Sequence, residues 1–196
     1  ASPAVGEMVS VLARYFKLPL SKGLGQALYL ALVTDTGSFS YSNTKPETLE
    51  LAAEIIRNGL DPGAFTAQLQ NQWTLNKAQL VGKALQKIQL FHQGQVGVIS
   101  ATQALMQETR TSQEDCEGLI NLVRQIRGVQ VAVSLRENGE KSTKFSLRSW
   151  GDTDVRKVAE FFGGGGHLNA SGGLIKAPLP EAKTTLVNTI SEILSF

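Results

Sequence analysis

The sequence predicts an α/β protein in parts: a helical segment over 1–72, a connecting helix over 73–92 and a mixed α/β domain over 93–196. Three observations predict it. Up to Ile56, apolar residues recur at spacings of three and four, the period of helices with one apolar face. After His92-Gln93-Gly94 the texture changes, and Val129, Val131, Val133 and Leu135 alternate as in a half-buried strand. Asn138-Gly139 follows, a pair that readily supplies the positive φ angles of a hairpin turn.

Each element can be justified in order. Val5, Met8, Val9, Leu12 and Phe16 keep helical spacing and mark a first helix. Gln26 to Val33 is apolar and reads equally as helix or buried strand; it runs into TDTGSFSYSNT, a polar loop. Thr44 and Glu47 have capping-box spacing, with Pro46 in the first turn. Leu49, Ala52, Ala53 and Ile56 form one face of that helix, which Asn58-Gly59 ends. A short helix follows Asp61-Pro62. Ala78, Val81, Leu85 and Ile88 predict a longer one over 75–91. A strand over 95–101 comes next. Ser112 then caps a helix with the stripe Cys116, Leu119, Ile120, Val123 and Ile126, closed by Gly128. The return strand of the hairpin, over 142–149, puts Phe145 and Leu147 on one face and Lys144, Ser146 and Arg148 on the other. Val155, Val158, Ala159 and Phe162 give a short helix capped by Asp152 or Thr153. After the stretch FFGGGGHLNASGG, with a strand over 171–176, Pro178 and Pro180 precede a final helix carrying Leu186, Ile190, Ile193 and Leu194.

The totals narrow the function. The chain has 196 residues, enough for one large domain or two small ones, and 42% of them are apolar, enough for a real core. A net charge of +2 argues against a broad polyanion-binding surface and leaves room for a local basic patch. Cys116 is the single cysteine, which excludes an internal disulfide and a cysteine-cluster metal site and fits a cytoplasmic protein. Its place on an apolar stripe reads as a buried thiol rather than a nucleophile. The longest apolar run, Ala27 to Val33, is too short to span a bilayer, so no membrane partner is expected.

Chemistry concentrates in a few places. Each glycine in Gly163 to Gly166 loses roughly 0.5–1 kcal/mol of stability relative to alanine through backbone entropy, so a run of four needs a reason. One is close approach to a ligand, with N–H groups of Gly164, Gly165 and Gly166 facing an anion and His167 beside it. The other is a tight packing turn, and the residues alone leave both open. Arg148 and Ser146 share a strand face close to this stretch. An arginine fork suits phosphate, and a solvated strand face suits it equally. Asp35, between two threonines at the end of an apolar run, reads as a turn residue or as a functional carboxylate. No dense Asp/His cluster accompanies it, and His92 reads as a surface or linker residue. Tyr41 to Thr44 could contact a base or phosphate, although the cap reading of Thr44 competes. Asp115 and Glu117 are explained as acids near a helix start.

Four blocks carry a resemblance: VTDTGSFSYSNTKPETLELAAEIIRNGLDP, EGLINLVRQIRGVQVAVSLRE, KFSLRS and FFGGGGHLNASGG. In this order and spacing they resemble the DHH–DHHA1 phosphoesterases, and among them the nano-RNase/pAp phosphatase type. The resemblance implies a helical remnant of a DHH catalytic domain, a connector helix and a DHHA1-type substrate-binding domain. It implies a manganese-dependent (Mn2+) phosphodiesterase or phosphatase acting on short RNA oligonucleotides or on 3′-phosphoadenosine 5′-phosphate. Asp35 would match a metal ligand. Ser146, Arg148, Gly164, Gly165, Gly166 and His167 would contact substrate. The family's first three motifs, including its Asp-His-His triplet, are not in this chain, and SPAVGEMV resembles the segment after that triplet. The chain is therefore expected to be a truncated, inactive part of a longer enzyme. A cyclic-dinucleotide phosphodiesterase and a non-enzymatic RNA-binding module are the alternatives. Oligomeric state stays open, a homodimer included.

Overall fold

A computed structural model of the chain describes residues 5–40, 43–70 and 72–195. The chain divides into two compact units, Ala1–Gln72 and Trp73–Phe196, and is mixed α/β.

The first unit is helical: α1 (Val5–Tyr15), α2 (Lys22–Asp35), α3 (Pro46–Arg57) and α4 (Pro62–Gln70). Its core gathers Leu20, Leu28, Tyr29, Leu32, Leu51 and Ile55, with Tyr29 edge-on to Phe39 and Phe65. The segment that reads equally as helix or strand is α2, which extends through Asp35. The stripe that marks α1 is not its buried face. Gly6, Ser10 and Ala13 are buried, while Val5, Met8, Leu12 and Phe16 are exposed. Small residues are required where α1 meets α2, because a Cβ on Gly6 would sit 2.9 Å from Ala31 Cβ. The face of α3 is rotated too: Thr48, Leu51, Ala52 and Ile55 are buried, and Leu49 and Ile56 are exposed. Its N-cap is Lys45 rather than Thr44, with the Lys45 N–H donating to Thr48 Oγ1 at 3.4 Å.

The second unit is built on one sheet of six strands in the order β1-β2-β3-β4-β6-β5. They are β1 (Gln89–Phe91), β2 (Val96–Ala101), β3 (Val131–Glu137), β4 (Thr143–Ser149), β5 (Gly165–His167) and β6 (Ala170–Ile175). Only β2 and β3 pair in parallel among these neighbours. Three-residue strands close both edges. The hairpin forms as the sequence predicts, with Gly139 at φ +85° in the loop between β3 and β4.

Helices cover the sheet on both faces. On one, α8 (Arg156–Phe161) and α9 (Leu179–Leu194) bury Val133, Leu135, Phe145 and Leu147 with Val158, Leu186 and Ile190. On the other, α5 (Leu75–Leu85), α6 (Gln103–Thr109) and α7 (Leu119–Arg124) cover Ile99, Ala101 and Ala132. The helix expected as a connector over 73–92 thus contributes Leu80, Val81 and Ala84 to the core of the second unit. It also stops at Leu85. Gln89–Phe91 pairs antiparallel with Val96–Val98 instead, through a turn in which His92, Gln93 and Gly94 all take positive φ. The helix expected after Ser112 is broken, because Gly118 at φ +90° separates a short turn at Glu114–Cys116 from α7. The start of α8 is held by Asp154 rather than Asp152 or Thr153, with Asp154 Oδ1 accepting from the Arg156 N–H at 3.1 Å.

Phe145 anchors this unit at 0% exposure, packed edge-on to Phe162. Phe145→Ala should cost about 3–5 kcal/mol, read in urea denaturation as an earlier transition of the sheet unit.

Candidate functional site

Burial alternates along β4 without a break: Thr143, Phe145, Leu147 and Ser149 are buried, and Lys144, Ser146 and Arg148 are not. The strand period of two carries these three side chains to the face opposite the Phe145 core. The antiparallel register sets Ser134 and Arg136 of β3 opposite Ser146 and Lys144. Helix α7 covers only part of this face. Between its Ile120–Asn121 edge and the uncovered strands lies an open trough of about 340 Å³, with Arg136, Lys144, Ser146 and Arg148 along its sheet side. That is room for a small ligand.

The trough is basic. Among the described residues Arg136, Lys144 and Arg148 form no ion pair with a carboxylate. Arg136 is steadied by donating to the Gln113 carbonyl at 3.1 Å, and Arg148 by donating to the Leu147 carbonyl at 3.0 Å. Glu117 is the acidic side chain on its wall. Cys116 borders the trough as a buried thiol. Burial pushes its pKa up, against the pull of Arg136, so it is a poor nucleophile.

The sheet relates the glycine stretch to this face. Register pairs Arg148 with Ala170, and Ala170 with His167, so one row crosses three strands and all point the same way. His167 is exposed and two strands from Arg148, about 10 Å at the usual spacing of strands. It lies beside the trough rather than in its wall.

Packing accounts for most of the glycine run. Gly163 ends α8 at φ +72°, and its N–H and that of Gly164 are spent on the carbonyls of Glu160 and Ala159. A Cβ on Gly164 would run into the Gly172 carbonyl, and one on Gly166, at φ +144°, into the Ala170 carbonyl. Gly165 alone of Gly163 to Gly166 has ordinary φ and open space where a side chain would stand. The run is also not wholly loop, since Gly165–His167 is the edge strand β5.

Asp35 belongs to the first unit. It is exposed at the C-terminal end of α2, where the helix dipole favours a cation. After it, Thr36 is buried and donates to the Leu32 carbonyl at 2.6 Å, while Gly37, Ser38 and Phe39 all take positive φ. Asn43 donates to the Asp35 carbonyl at 3.0 Å. Tyr41 and Ser42 lie outside the described residues, as do Ser2 to Ala4. Among the described residues no three His, Cys, Asp or Glu side chains group to hold a metal ion. Asp35 is one carboxylate of the several Asp and His ligands that a hydrolytic metal pair needs. Nor is any helix of the described residues long and apolar enough to cross a membrane.

One residue beyond the sequence reading stands out. Trp150 continues the row Lys144, Ser146, Arg148, and the signal that could have found it is that same period of two.

Comparisons with known proteins agree with this architecture. Residues 95–195 match the DHHA1 domain family. A curated relative from Thermus thermophilus, named bifunctional oligoribonuclease and PAP phosphatase NrnA, is 30% identical over 193 residues, 98% of this chain and 57% of its own length. A relative of the same name from Mycoplasma pneumoniae is 30% identical over 174 residues, 89% of this chain and 52% of its own. The crystal structure of an exopolyphosphatase-related protein from Bacteroides fragilis superposes with a TM-score of 0.87 at 29% identity, over 95% of this chain and 56% of that one. The chain spans about half the length of the curated relatives it matches.

The glycine geometry makes a prediction. Gly164→Ala should lose roughly 1–3 kcal/mol from overpacking, and Gly165→Ala should stay level or gain up to about 1 kcal/mol. Thermal denaturation of the two variants reads the order directly.

Proposed function

We propose a function for this chain on the premise that it belongs to the DHHA1 domain family: it holds the phosphates of a small nucleotide or short oligoribonucleotide in the trough over β4, as the binding half of a phosphoesterase. The observation that carries this reading is the line of Arg136, Lys144, Ser146 and Arg148 beside an open trough, with none of the three cations in an ion pair among the described residues. An arginine fork and an ammonium are suited to phosphate oxygens, and Ser146 adds a hydroxyl between them. The relatives named as oligoribonuclease and PAP phosphatase support the choice of a short, doubly phosphorylated or oligonucleotide ligand.

Gly165 and His167 extend the site sideways in this reading. The open backbone at Gly165 lets a ligand lie flat on the sheet, and the imidazole of His167 donates to a phosphate or sugar oxygen from the edge. Gly164 and Gly166 serve indirectly, because their missing side chains let β5 approach β6. Hydrolysis belongs to the whole protein in this proposal. Manganese would supply Lewis acidity and activate water there. Asp35 would offer one carboxylate toward it.

Binding of 3′-phosphoadenosine 5′-phosphate to the 196-residue chain, followed by calorimetry, tests the reading. Arg148→Ala should weaken it by about 1.5–3 kcal/mol, the worth of a charged hydrogen bond. His167→Ala should weaken it by a smaller amount with unchanged circular dichroism. Equal affinity in Arg148→Ala would refute the trough as the phosphate site. RNA of two to five nucleotides should bind as tightly as longer RNA. Affinity that keeps rising to tRNA length would favour a general RNA-binding module instead. With manganese added, this chain is expected to bind a dinucleotide without releasing mononucleotides, and turnover in that assay would refute the assignment of hydrolysis to the whole protein.

A further inference from the structure

Trp150 follows the last residue of β4 and lies outside the trough's lining, two residues beyond Arg148, or about 7 Å along an extended chain. Trp150 is 53% exposed. An exposed tryptophan costs apolar hydration, yet this one is held in place. Its Nε1–H donates to the Arg124 carbonyl at 3.3 Å, and the Arg124 guanidinium lies over the ring 3.6 Å from its centre. Arg124 is the last residue of α7, the helix that walls the trough. Its Nε has no hydrogen-bond partner, and it forms no ion pair among the described residues, so the ring is the contact that orients it.

The turn beneath is rigid as well. Ser149 Oγ donates to the Thr153 carbonyl at 2.6 Å, and Asn169 Nδ2 donates to Ser149 Oγ and to the Gly151 carbonyl, each at 2.9 Å. Asn169 comes from the turn between β5 and β6, so the glycine stretch fixes the loop that carries Trp150.

We propose that Trp150 is the base-stacking platform of the trough: a nucleobase lies on the indole face away from Arg124 while its phosphate is held by Arg148. This rests on the nucleotide reading above and adds to it the recognition of the base. The guanidinium, the indole and the base would form one stack, with the cation strengthening the ring's hold through its π face. A flat π surface reads no hydrogen-bonding edge, so the platform accepts every base and favours the larger purines. Degradation of short RNA needs that tolerance.

The experiment compares two ligands on the full chain: adenosine 3′,5′-bisphosphate and the 3,5-bisphosphate of ribose lacking the base. Wild type should bind the adenosine compound roughly 5- to 150-fold more tightly, the range expected for stacking one base. Trp150→Ala should lose that advantage and leave the base-free ligand unchanged, and Trp150→Phe should keep most of it. In a Trp73→Phe background, the remaining Trp150 fluorescence should be quenched by the adenosine ligand and not by the base-free one. If Trp150→Ala preserves the ratio of the two affinities, or Trp150 emission ignores the base, the platform is overturned while phosphate binding stands. If wild type binds neither ligand, the nucleotide reading itself fails and the platform with it.

Discussion

The second unit depends on the burial of Phe145 and Leu147. Both are fully withdrawn from water against α8 and α9. Because side chains on a strand alternate, that burial decides where their neighbours go. A slip of one residue would put Lys144, Ser146 and Arg148 into the apolar core, where unpaired charges cost far more than any hydrogen bond returns. Core packing therefore acts as the register lock of the polar face. The trough is not added to the fold; it is what remains of the sheet once its other face has been filled.

The glycine stretch shows the same economy. A ligand pressed against backbone and a neighbouring strand pressed against backbone make the same demand, which is no side chain. In this chain the neighbouring strand claims Gly164 and Gly166, and the end of α8 claims Gly163. What the stretch contributes to the site is position. It swings the chain from α8 back onto the sheet, sets His167 in the row of Arg148, and supplies Asn169 to tie down the loop after β4.

How much of this could be read beforehand depends on what each residue was asked to do. The hairpin was legible because alternation and Asn138-Gly139 point to one answer at two levels. Ser146 and Arg148 were legible as a shared face for the same reason. The buried side of α1 was not legible, because an apolar stripe is a guide only where large residues do the packing; at close approach the contact is made by Gly6, Ser10 and Ala13. Helix α6 was missed because it is seven residues long, too short for periodicity to register, and its cap Thr102 is a common residue. The broken helix at Gly118 was missed because the stripe continues across it. Trp150 was within reach of the same period of two that marks Arg148, and only its contact with Arg124 lay beyond what sequence spacing brings near.

The two ends of the sheet have a consequence for life in a crowded solution. A sheet edge is a row of unsatisfied donors and acceptors that another chain can extend. Here the sheet finishes on β1 and β5, both three residues long, while its inner strands run to six or seven. Edges this short offer an intruding strand too few hydrogen bonds to hold it. A sheet that keeps one face partly bare can tolerate that bareness because its borders resist becoming the seed of a fibre.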